Sequence, residues 1–249
     1  MNTPEAVPHE KWLTARKELL AAEKRLTHVR DEVNTMRREL PMVKIDKPYA
    51  LEGPGGRVGL ADLFEGRRQL IVYHFMFDPS WDEGCKSCSF TVDGIGHRAH
   101  LHARDTTLAL VSRAPLTKLT AYRTRMGWTV PWYSSYGSDF NYDFHVTLDD
   151  QTAPVEYNYR TRAEHELAGM SWFTGDELHE LHGVSVFLRT GEGVFHTYSA
   201  YARGTDLLTG TYNWLDLTPY GRQEDWERPP GRGDSPFMSW LRRHDEYDD

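Results

Sequence analysis

The 249-residue chain contains only two cysteines, Cys85 and Cys88. A framework of disulfides therefore cannot hold the fold, and the chain is long enough to bury a hydrophobic core without one. No apolar run approaches the roughly 20 residues of a membrane-spanning helix, and the N-terminus lacks the basic and then apolar pattern of a secretory signal. We therefore expect a cytoplasmic protein with no membrane partner.

Positive charge is also scarce. The 29 Lys and Arg residues are outnumbered by 37 Asp and Glu residues, which leaves a formal net charge of −8 and a pI near 5.8. Sequence-independent binding of nucleic acid depends on clustered Lys and Arg. We therefore expect no nucleic-acid partner.

Residues 9–40 carry a seven-residue repeat without Gly or Pro, and Pro41 ends it. The repeat predicts a long amphipathic helix, which makes residues 1–40 an N-terminal helical arm. This helix either lies on its own domain or pairs with a second copy, and we predict a homodimer through it. The apolar positions are Trp12, Leu19, Leu26, Val33 and Leu40, with Ala15, Ala22, Val29 and Met36 three residues after the first four.

The order of apolar segments predicts the fold class. A hairpin with the turn "GPGG" is followed by two nearly continuous apolar runs, 69–77 and 106–112, which are typical of strands buried on both faces. Helices are expected at about 85–103, 116–126 and 205–216, and "GVSVFLRTGEGVFHTYSAYARG" predicts a second hairpin. We predict an α/β domain over 41–225, a mixed sheet with helices on both faces, and a C-terminal tail over 226–249.

The two cysteines form a C-x-x-C motif at the predicted start of the first helix after a buried strand. Backbone N–H groups and the helix dipole favour negative charge there and lower the pKa of a thiol. Cys85 would attack a disulfide as the thiolate, and Cys88, one turn later, would resolve the mixed disulfide. The alternatives are half of a zinc site and two inert buried cysteines.

Three segments resemble a known family. The order of elements resembles the thioredoxin fold, and "GLADLFEGRRQLIVYHF" resembles its peroxiredoxin branch. "RRQLIVYHFMFDPSWDEGCKSCSF", "ARDTTLALVSRAPLTKLTAYRTRMGWTVPWYSSYGSDFNYDFHVTLDD" and "GVSVFLRTGEGVFHTYSAYARGTDLLTGTYNWLDLTPYGR" are similar to the bacterial family called domain of unknown function 899. This resemblance implies a thioredoxin-like fold and dithiol-disulfide oxidoreductase activity.

The same resemblance also shows two departures. At the cysteine position of the peroxiredoxin loop the chain has Lys86, which argues against peroxidase activity. Thioredoxins carry a cis-proline before the strand that faces the C-x-x-C motif, where this chain has "LHGVSVF" with Gly183. This departure leaves room for another ligand beside the sulfurs.

Twelve histidines make a metal site the main alternative. Thiolates with imidazole suit copper or zinc, and copper-delivery proteins of the thioredoxin fold use a cysteine pair with one distant histidine. His145 is the position that we match to that histidine, and His196 is the second choice. Cys85 and Cys88 with these histidines would make a copper-binding oxidoreductase or metal carrier, although a lone histidine in a strand is more often a core residue.

The aromatic residues of 126–144 either cap the sheet or line a pocket that selects a small organic substrate. The leading hypothesis is a thioredoxin-like oxidoreductase that needs no cofactor and acts on a small molecule or a thiol or disulfide substrate. The copper protein is the first alternative. The second is a dimeric binding module without catalysis.

Overall fold

Helices and strands alternate along most of the chain. The computed structural model describes residues 3–170 and 178–247. The α-helices of these residues are α1 (His9–Glu39), α2 (Lys86–Asp93), α3 (Ala99–His102), α4 (Leu116–Arg125), α5 (Phe140–Asp143), α6 (Arg162–Leu167) and α7 (Gly210–Leu215). Short 3-10 helices span Leu60–Phe64, Ala202–Leu208 and His244–Glu246. No helix of the described residues has both the length and the apolar composition that a bilayer crossing requires.

The strands are mostly short, and eight of them join one mixed sheet. The strands are β1 (Val43–Lys44), β2 (Ala50–Gly53), β3 (Gly56–Gly59), β4 (Gln69–His74), β5 (Thr106–Ser112), β6 (Trp132–Ser134), β7 (Thr147–Leu148), β8 (Glu156–Tyr157), β9 (Arg160–Thr161), β10 (His179–Glu180), β11 (Gly183–Thr190) and β12 (Gly193–Tyr201). Their order in the large sheet is β1-β12-β11-β4-β5-β6-β2-β3. Two further pairs, β7 with β10 and β8 with β9, are separate.

The centre of the sheet is a β-α-β unit followed by an antiparallel hairpin. Strands β4, β5 and β6 are parallel, since α2 and α4 provide the crossovers. Strand β11 is antiparallel to β4, and β12 is antiparallel to β11. This arrangement is the thioredoxin-like fold, so the fold class implied by the resemblance is confirmed. The buried strands and both hairpins were also predicted correctly.

Both faces of the sheet are covered. Alternate residues of β4 and β5 enter two separate clusters of buried side chains, as the two-residue period of a strand requires. Leu70 and Val72 pack with Phe140 and Phe144, on one side. Tyr73 belongs to the other cluster, which α2 and α4 complete. The continuous apolar run at 69–74 follows from burial on both faces.

Two predicted helices are shorter in the structure. The helix expected over 85–103 ends at Asp93, and Gly94 follows it as the C-cap. A Cβ at 94 would approach the backbone nitrogen of Gly210 to 3.2 Å. The chain resumes helical structure only in α3. The helix expected over 205–216 consists of a 3-10 helix and the six-residue α7.

The chain divides into two compact units, Met1–Met42 with Leu215–Ser239, and Val43–Trp214 with Trp240–Asp249. In the first unit, α1 is the long helix that the heptad repeat predicted, and it contains no buried residue. In the second unit lie the whole sheet and the cysteine pair. The last residues of the chain therefore belong with the sheet.

Candidate active site

The two cysteines lie at the end of the loop that joins β4 to α2 and in the first turn of α2. The chain leaves β4 at His74, and Cys85 is the residue immediately before the first turn of α2. The backbone N–H of Cys85 donates to the carbonyl of Met76 at 3.1 Å, which ties the loop back to the end of the strand. Cys88 follows one turn later and is fully buried, whereas Cys85 is partly exposed. An attacking reagent can therefore reach Cys85 first.

Hydrogen bonds stabilise negative charge on Cys85. The Cys88 thiol contributes most, followed by the Ser87 hydroxyl, whose oxygen lies 3.1 Å from the Cys85 sulfur, and by the backbone N–H groups of Cys88 and Ser87. Together they outweigh the opposing effect of burial and lower the pKa of Cys85 to about 5. These N–H groups are among those that a helix leaves unpaired at its first turn. At neutral pH Cys85 is therefore a thiolate.

Cys88 has the opposite electrostatic environment. Burial, the bond to Cys85 and the charge of Cys85 raise the pKa of Cys88 well above its usual range. The backbone N–H of Met76, 3.4 Å from the Cys88 sulfur, and the hydroxyl of Tyr73 act in the other direction. Cys88 therefore keeps its proton while Cys85 is a thiolate. One reactive thiolate and one protonated thiol are what a nucleophile and a resolving cysteine require.

His182 is a residue near Cys85 that the sequence analysis did not single out. Burial lowers the pKa of His182, and the negative charge of Cys85 raises it in part. Its Nε2 lies 3.4 Å from the carbonyl oxygen of Ala202. The sequence clue to His182 is its position directly before Gly183, at the start of the strand expected to face the cysteines. In the structure Gly183 begins β11 and pairs with His74. Gly183 itself is required there, since a Cβ would approach the Tyr201 ring to 2.7 Å.

A second polar cluster that the sequence did not indicate surrounds Arg113. Its guanidinium donates to the carboxylates of Asp78 and Glu180 and to the hydroxyl of Tyr142. Glu180 also accepts from the Thr147 hydroxyl at 3.1 Å. Burial raises the pKa of Glu180 to about 7 although Arg113 opposes the shift. The cluster borders a cavity of about 470 Å³, which is lined by Asp78, Pro79, Ser80, Trp81, Arg113, Leu178 and Glu180.

The predicted metal ligands are not grouped. Among residues 3–170 and 178–247, no three His, Cys, Asp or Glu side chains are arranged to hold a metal ion, so the structure does not join His145 or His196 to the cysteine pair. His145 follows α5 with a left-handed backbone, φ 53°. His196 lies 2.8 Å from the Ser199 hydroxyl. The copper or zinc site thus has no geometric support in the described part of the chain.

His196 belongs instead to a hydrogen-bonded row across three strands. The Ser199 hydroxyl lies 2.8 Å from that of Ser185, which lies 2.8 Å from Nε2 of the buried His74. Burial, and the charge of His196, lower the pKa of His74 to about 3. His74 is therefore a neutral core residue, and the row ties β4, β11 and β12 together.

The aromatic segment is mostly core. Trp132, Phe140 and Phe144 are buried, the first in the cluster that contains Cys88 and the other two in the cluster on the opposite face. Tyr136 is exposed. These rings therefore stabilise both faces of the sheet rather than form one lining.

Comparison with known proteins places the chain in a family. A peroxiredoxin Q variant from Xanthomonas campestris is 14% identical and covers 70% of this chain and 95% of its own, with a TM-score of 0.40. A PrxQ variant from Xylella fastidiosa is 12% identical with the same coverages and a TM-score of 0.41. A Chlorobium tepidum protein assigned as a thiol:disulfide interchange protein DsbE is 13% identical, covering 69% and 96%, with a TM-score of 0.36. A search of curated proteins found no match. The family model described as bacterial protein of unknown function, DUF899, matches residues 1–247, and the chain belongs to that family.

Proposed function

We propose that the protein is a thiol-disulfide oxidoreductase in which Cys85 is the nucleophile and Cys88 the resolving cysteine. One observation supports this most directly. Cys85 is partly exposed directly before α2 and its pKa is lowered to about 5, while the nearby Cys88 is buried and its pKa is raised. Reactive cysteines are typically found in such partly exposed positions with a lowered pKa.

The reaction balances with the two thiols and a disulfide alone. The Cys85 thiolate attacks one sulfur of the substrate disulfide, forms a mixed disulfide with it and releases the other half as a thiolate. Cys88 then loses its proton, attacks the Cys85 sulfur and releases the second half as a thiolate, which takes up a proton. The substrate disulfide gains two electrons, and the Cys85–Cys88 pair loses two as it becomes a disulfide.

The second step requires the Cys88 thiol to ionise, which its burial and raised pKa oppose. Once Cys85 is in a mixed disulfide, its negative charge is gone, and one of the causes that raise the pKa of Cys88 is removed. The N–H of Met76 and the hydroxyl of Tyr73 already point hydrogen bonds at the Cys88 sulfur and remain available to the new thiolate. These two donors therefore favour resolution over release of the mixed disulfide.

We place this activity in a reducing cytoplasm, with a thiol or a small organic disulfide as the substrate. The partial exposure of Cys85 favours a substrate that can approach the open side of one sulfur. The electron donor that would return the disulfide to the dithiol is a second thiol compound in this scheme.

The aromatic disulfide 5,5′-dithiobis(2-nitrobenzoate) tests the proposal on the full chain. The reduced protein should release one nitrothiophenolate rapidly as Cys85 reacts and a second one as Cys88 resolves. Cys88→Ser should release only the first and retain the mixed disulfide, which mass spectrometry detects. Cys85→Ser should react far more slowly at neutral pH, because its remaining thiol is buried and protonated.

Titration of Cys85 in the Cys88→Ser protein gives the decisive check. We expect a pKa below the value of about 8.5 for a free thiol, because the Ser87 hydroxyl and the backbone N–H groups remain as donors after the Cys88 thiol is removed. A pKa at or above that value would contradict the assignment of Cys85 as the nucleophile.

A further inference from the structure

The last residues of the second unit pack along the cysteine helix. Trp240 contacts Phe90 of α2 edge-on, with ring centroids 5.7 Å apart, and Leu241 is buried. His244 Nδ1 lies 2.8 Å from the carboxylate of Asp93 at the end of α2. The segment 240–246 therefore contacts α2 at its middle and at its end. Between these contacts lies Arg243, which is only 7% exposed.

Arg243 reaches the residue directly before the nucleophile. Its Nη2 donates to the carbonyl of Gly84 at 2.9 Å. The next atom along the chain, the backbone N of Cys85, donates to the carbonyl of Met76 at 3.1 Å. The peptide unit between Gly84 and Cys85 is therefore held at both ends, once by a charged donor and once by the end of the strand. That peptide unit sets the direction in which the Cys85 side chain leaves the backbone.

A second path joins Arg243 to Cys85 itself. Nε of Arg243 donates to the Tyr122 hydroxyl at 2.7 Å, which lies 3.0 Å from the Ser89 hydroxyl, which donates to the carbonyl of Cys85 at 2.9 Å. The carbonyl of Cys85 can only accept, so the single proton of the Ser89 hydroxyl goes to it, and this fixes the rest of the row. Tyr122 must donate to Ser89, and Ser89 to Cys85. Rows of this kind reinforce one another in a buried site.

The guanidinium is itself held in place. Nη1 pairs with the carboxylates of Glu83 at 2.8 Å and Glu246 at 2.7 Å. Glu246 also accepts from the backbone N–H of Arg243 at 3.0 Å, so the side chain and its own backbone share one carboxylate. All three nitrogens of the guanidinium make hydrogen bonds or ion pairs. Only a planar, forked group can reach these partners at the same time.

We propose that Arg243 is a positioning residue for Cys85, which fixes the loop before α2 so that the sulfur faces the donors of the first helical turn. This inference rests on the proposed function, because Arg243 acts on the reaction only through Cys85. The inference adds segment 240–246 to the active site, although Arg243 lies 159 residues after Gly84 in the sequence. Lysine cannot replace it, since an ammonium group on a flexible stem cannot bond to Gly84 and Tyr122 in the same fixed plane.

The test is the pH profile of Cys85 alkylation by iodoacetamide in full-length protein that carries Cys88→Ser. Arg243→Lys keeps the positive charge but loses the planar fork of the guanidinium. We expect the midpoint of the alkylation profile to rise by about one pH unit, which is a tenfold change in the ratio of thiolate to thiol. Arg242→Lys, at the exposed neighbouring position, is the matched control and should leave the midpoint unchanged. Circular dichroism establishes that each variant is folded.

An unchanged midpoint in folded Arg243→Lys would overturn the inference, and so would an equal rise in Arg242→Lys. Should Arg243→Lys fail to fold, Tyr122→Phe decides, because it keeps the ring and breaks only the row to Ser89. A raised midpoint there supports the inference, and an unchanged one contradicts it. A parent midpoint at or above about 8.5 would instead contradict the proposed function itself.

Discussion

The hydroxyl oxygen of Ser87 lies 3.1 Å from the sulfur of Cys85, at the first turn of α2. Because the side chain of Ser87 and its backbone N–H both favour the thiolate, one residue supplies two of the contacts that lower the pKa of Cys85. The middle of the C-x-x-C motif therefore contributes to the chemistry and does not merely separate the two sulfurs.

We predict that Ser87→Ala raises the pKa of Cys85 by about one unit, since a hydrogen bond to a charged group contributes about 1.5 kcal/mol or more. The shift should be partial, because the Cys88 thiol and the backbone N–H groups remain. The ultraviolet absorbance of the thiolate, followed against pH, measures it. Ser80→Ala is the control, since the Ser80 hydroxyl bonds to Asp78 in the same loop. Equal pKa values in Ser87→Ala and the parent would show that the hydroxyl is not a donor to Cys85.

Gly84→Ala should destabilise the fold. A Cβ at residue 84 would lie 2.7 Å from Cε1 of Phe75 and 3.0 Å from Cε1 of Tyr122, so the core or the cysteine loop must move. Overpacking of this kind typically costs about 1–3 kcal/mol. Gly55→Ala is the matched control, since a Cβ there meets nothing within 4 Å. Urea unfolding gives both values, and equal stabilities of the two variants would refute the prediction.

The sequence was sufficient for the two hairpins, for β4 and β5 and for the place of the cysteines, because those features depend on local patterns, but it did not indicate β6. The apolar run of β4 and the glycine-rich turn of the first hairpin are visible in short windows. The partners of Arg113 and Arg243 were not predictable in this way. Arg113 binds Glu180, 67 residues away, and a single arginine leaves no periodic signal that names its partner. The metal hypothesis failed to find support for the same reason, since spacing alone does not say which histidines meet the cysteines.

Arg113→Met should destabilise the protein in a pH-dependent manner. The substitution leaves Glu180 buried beside Asp78 without a cation, and breaking a buried ion pair costs about 3–5 kcal/mol. Burial already raises the pKa of Glu180 to about 7, and Arg113 opposes this rise. Removing Arg113 should therefore raise the pKa of Glu180 further. A group whose pKa is higher in the folded state gives stability at low pH that is lost as the pH rises through that value.

The variant should therefore approach the parent in stability as the pH falls from about 9 to about 7, because Glu180 then becomes neutral in the variant, and below about 7 it is neutral in both proteins. Urea unfolding at several pH values measures this recovery. The double variant Arg113→Met with Glu180→Gln should lack most of the pH dependence. A stability difference between Arg113→Met and the parent that stays constant over this pH range would refute the role given to Glu180.

We expect reduced protein purified without an affinity tag to carry less than about a tenth of an equivalent of copper or zinc, since thiolate sites normally hold such ions tightly. This expectation rests on the positions of the potential ligands, because no three metal-binding side chains converge among the described residues. Elemental analysis measures it, and uptake of either metal under reducing conditions is the second readout. Stoichiometric metal that is lost in His145→Ala or His196→Ala would restore the metal hypothesis.

The last prediction concerns α1, which exposes the apolar positions of its heptad repeat. Leu19 and Leu26 are 55% and 69% exposed, and large apolar side chains repeated on one face are typical of a helix that pairs. We predict a homodimer through α1, with the mass from light scattering at micromolar concentration near twice 28.8 kDa. Leu19→Asp with Leu26→Asp should give a monomer without changing the reactivity of Cys85, which belongs to the other unit.

Charge pattern gives this dimer a distinctive response to salt. In a parallel pair, Glu18 of one copy faces Glu23 of the other, and Arg25 faces Arg30. Only Glu32 faces an opposite charge, Arg37, so like charges predominate beside the apolar seam. Salt screens these repulsions, because the Debye length falls from about 10 Å at 0.1 M to about 3 Å at 1 M. The dimer should therefore tighten as the ionic strength rises, contrary to a dimer held by ion pairs. A monomeric mass at every salt concentration would refute the dimer, and dissociation on adding salt would refute the parallel arrangement of α1.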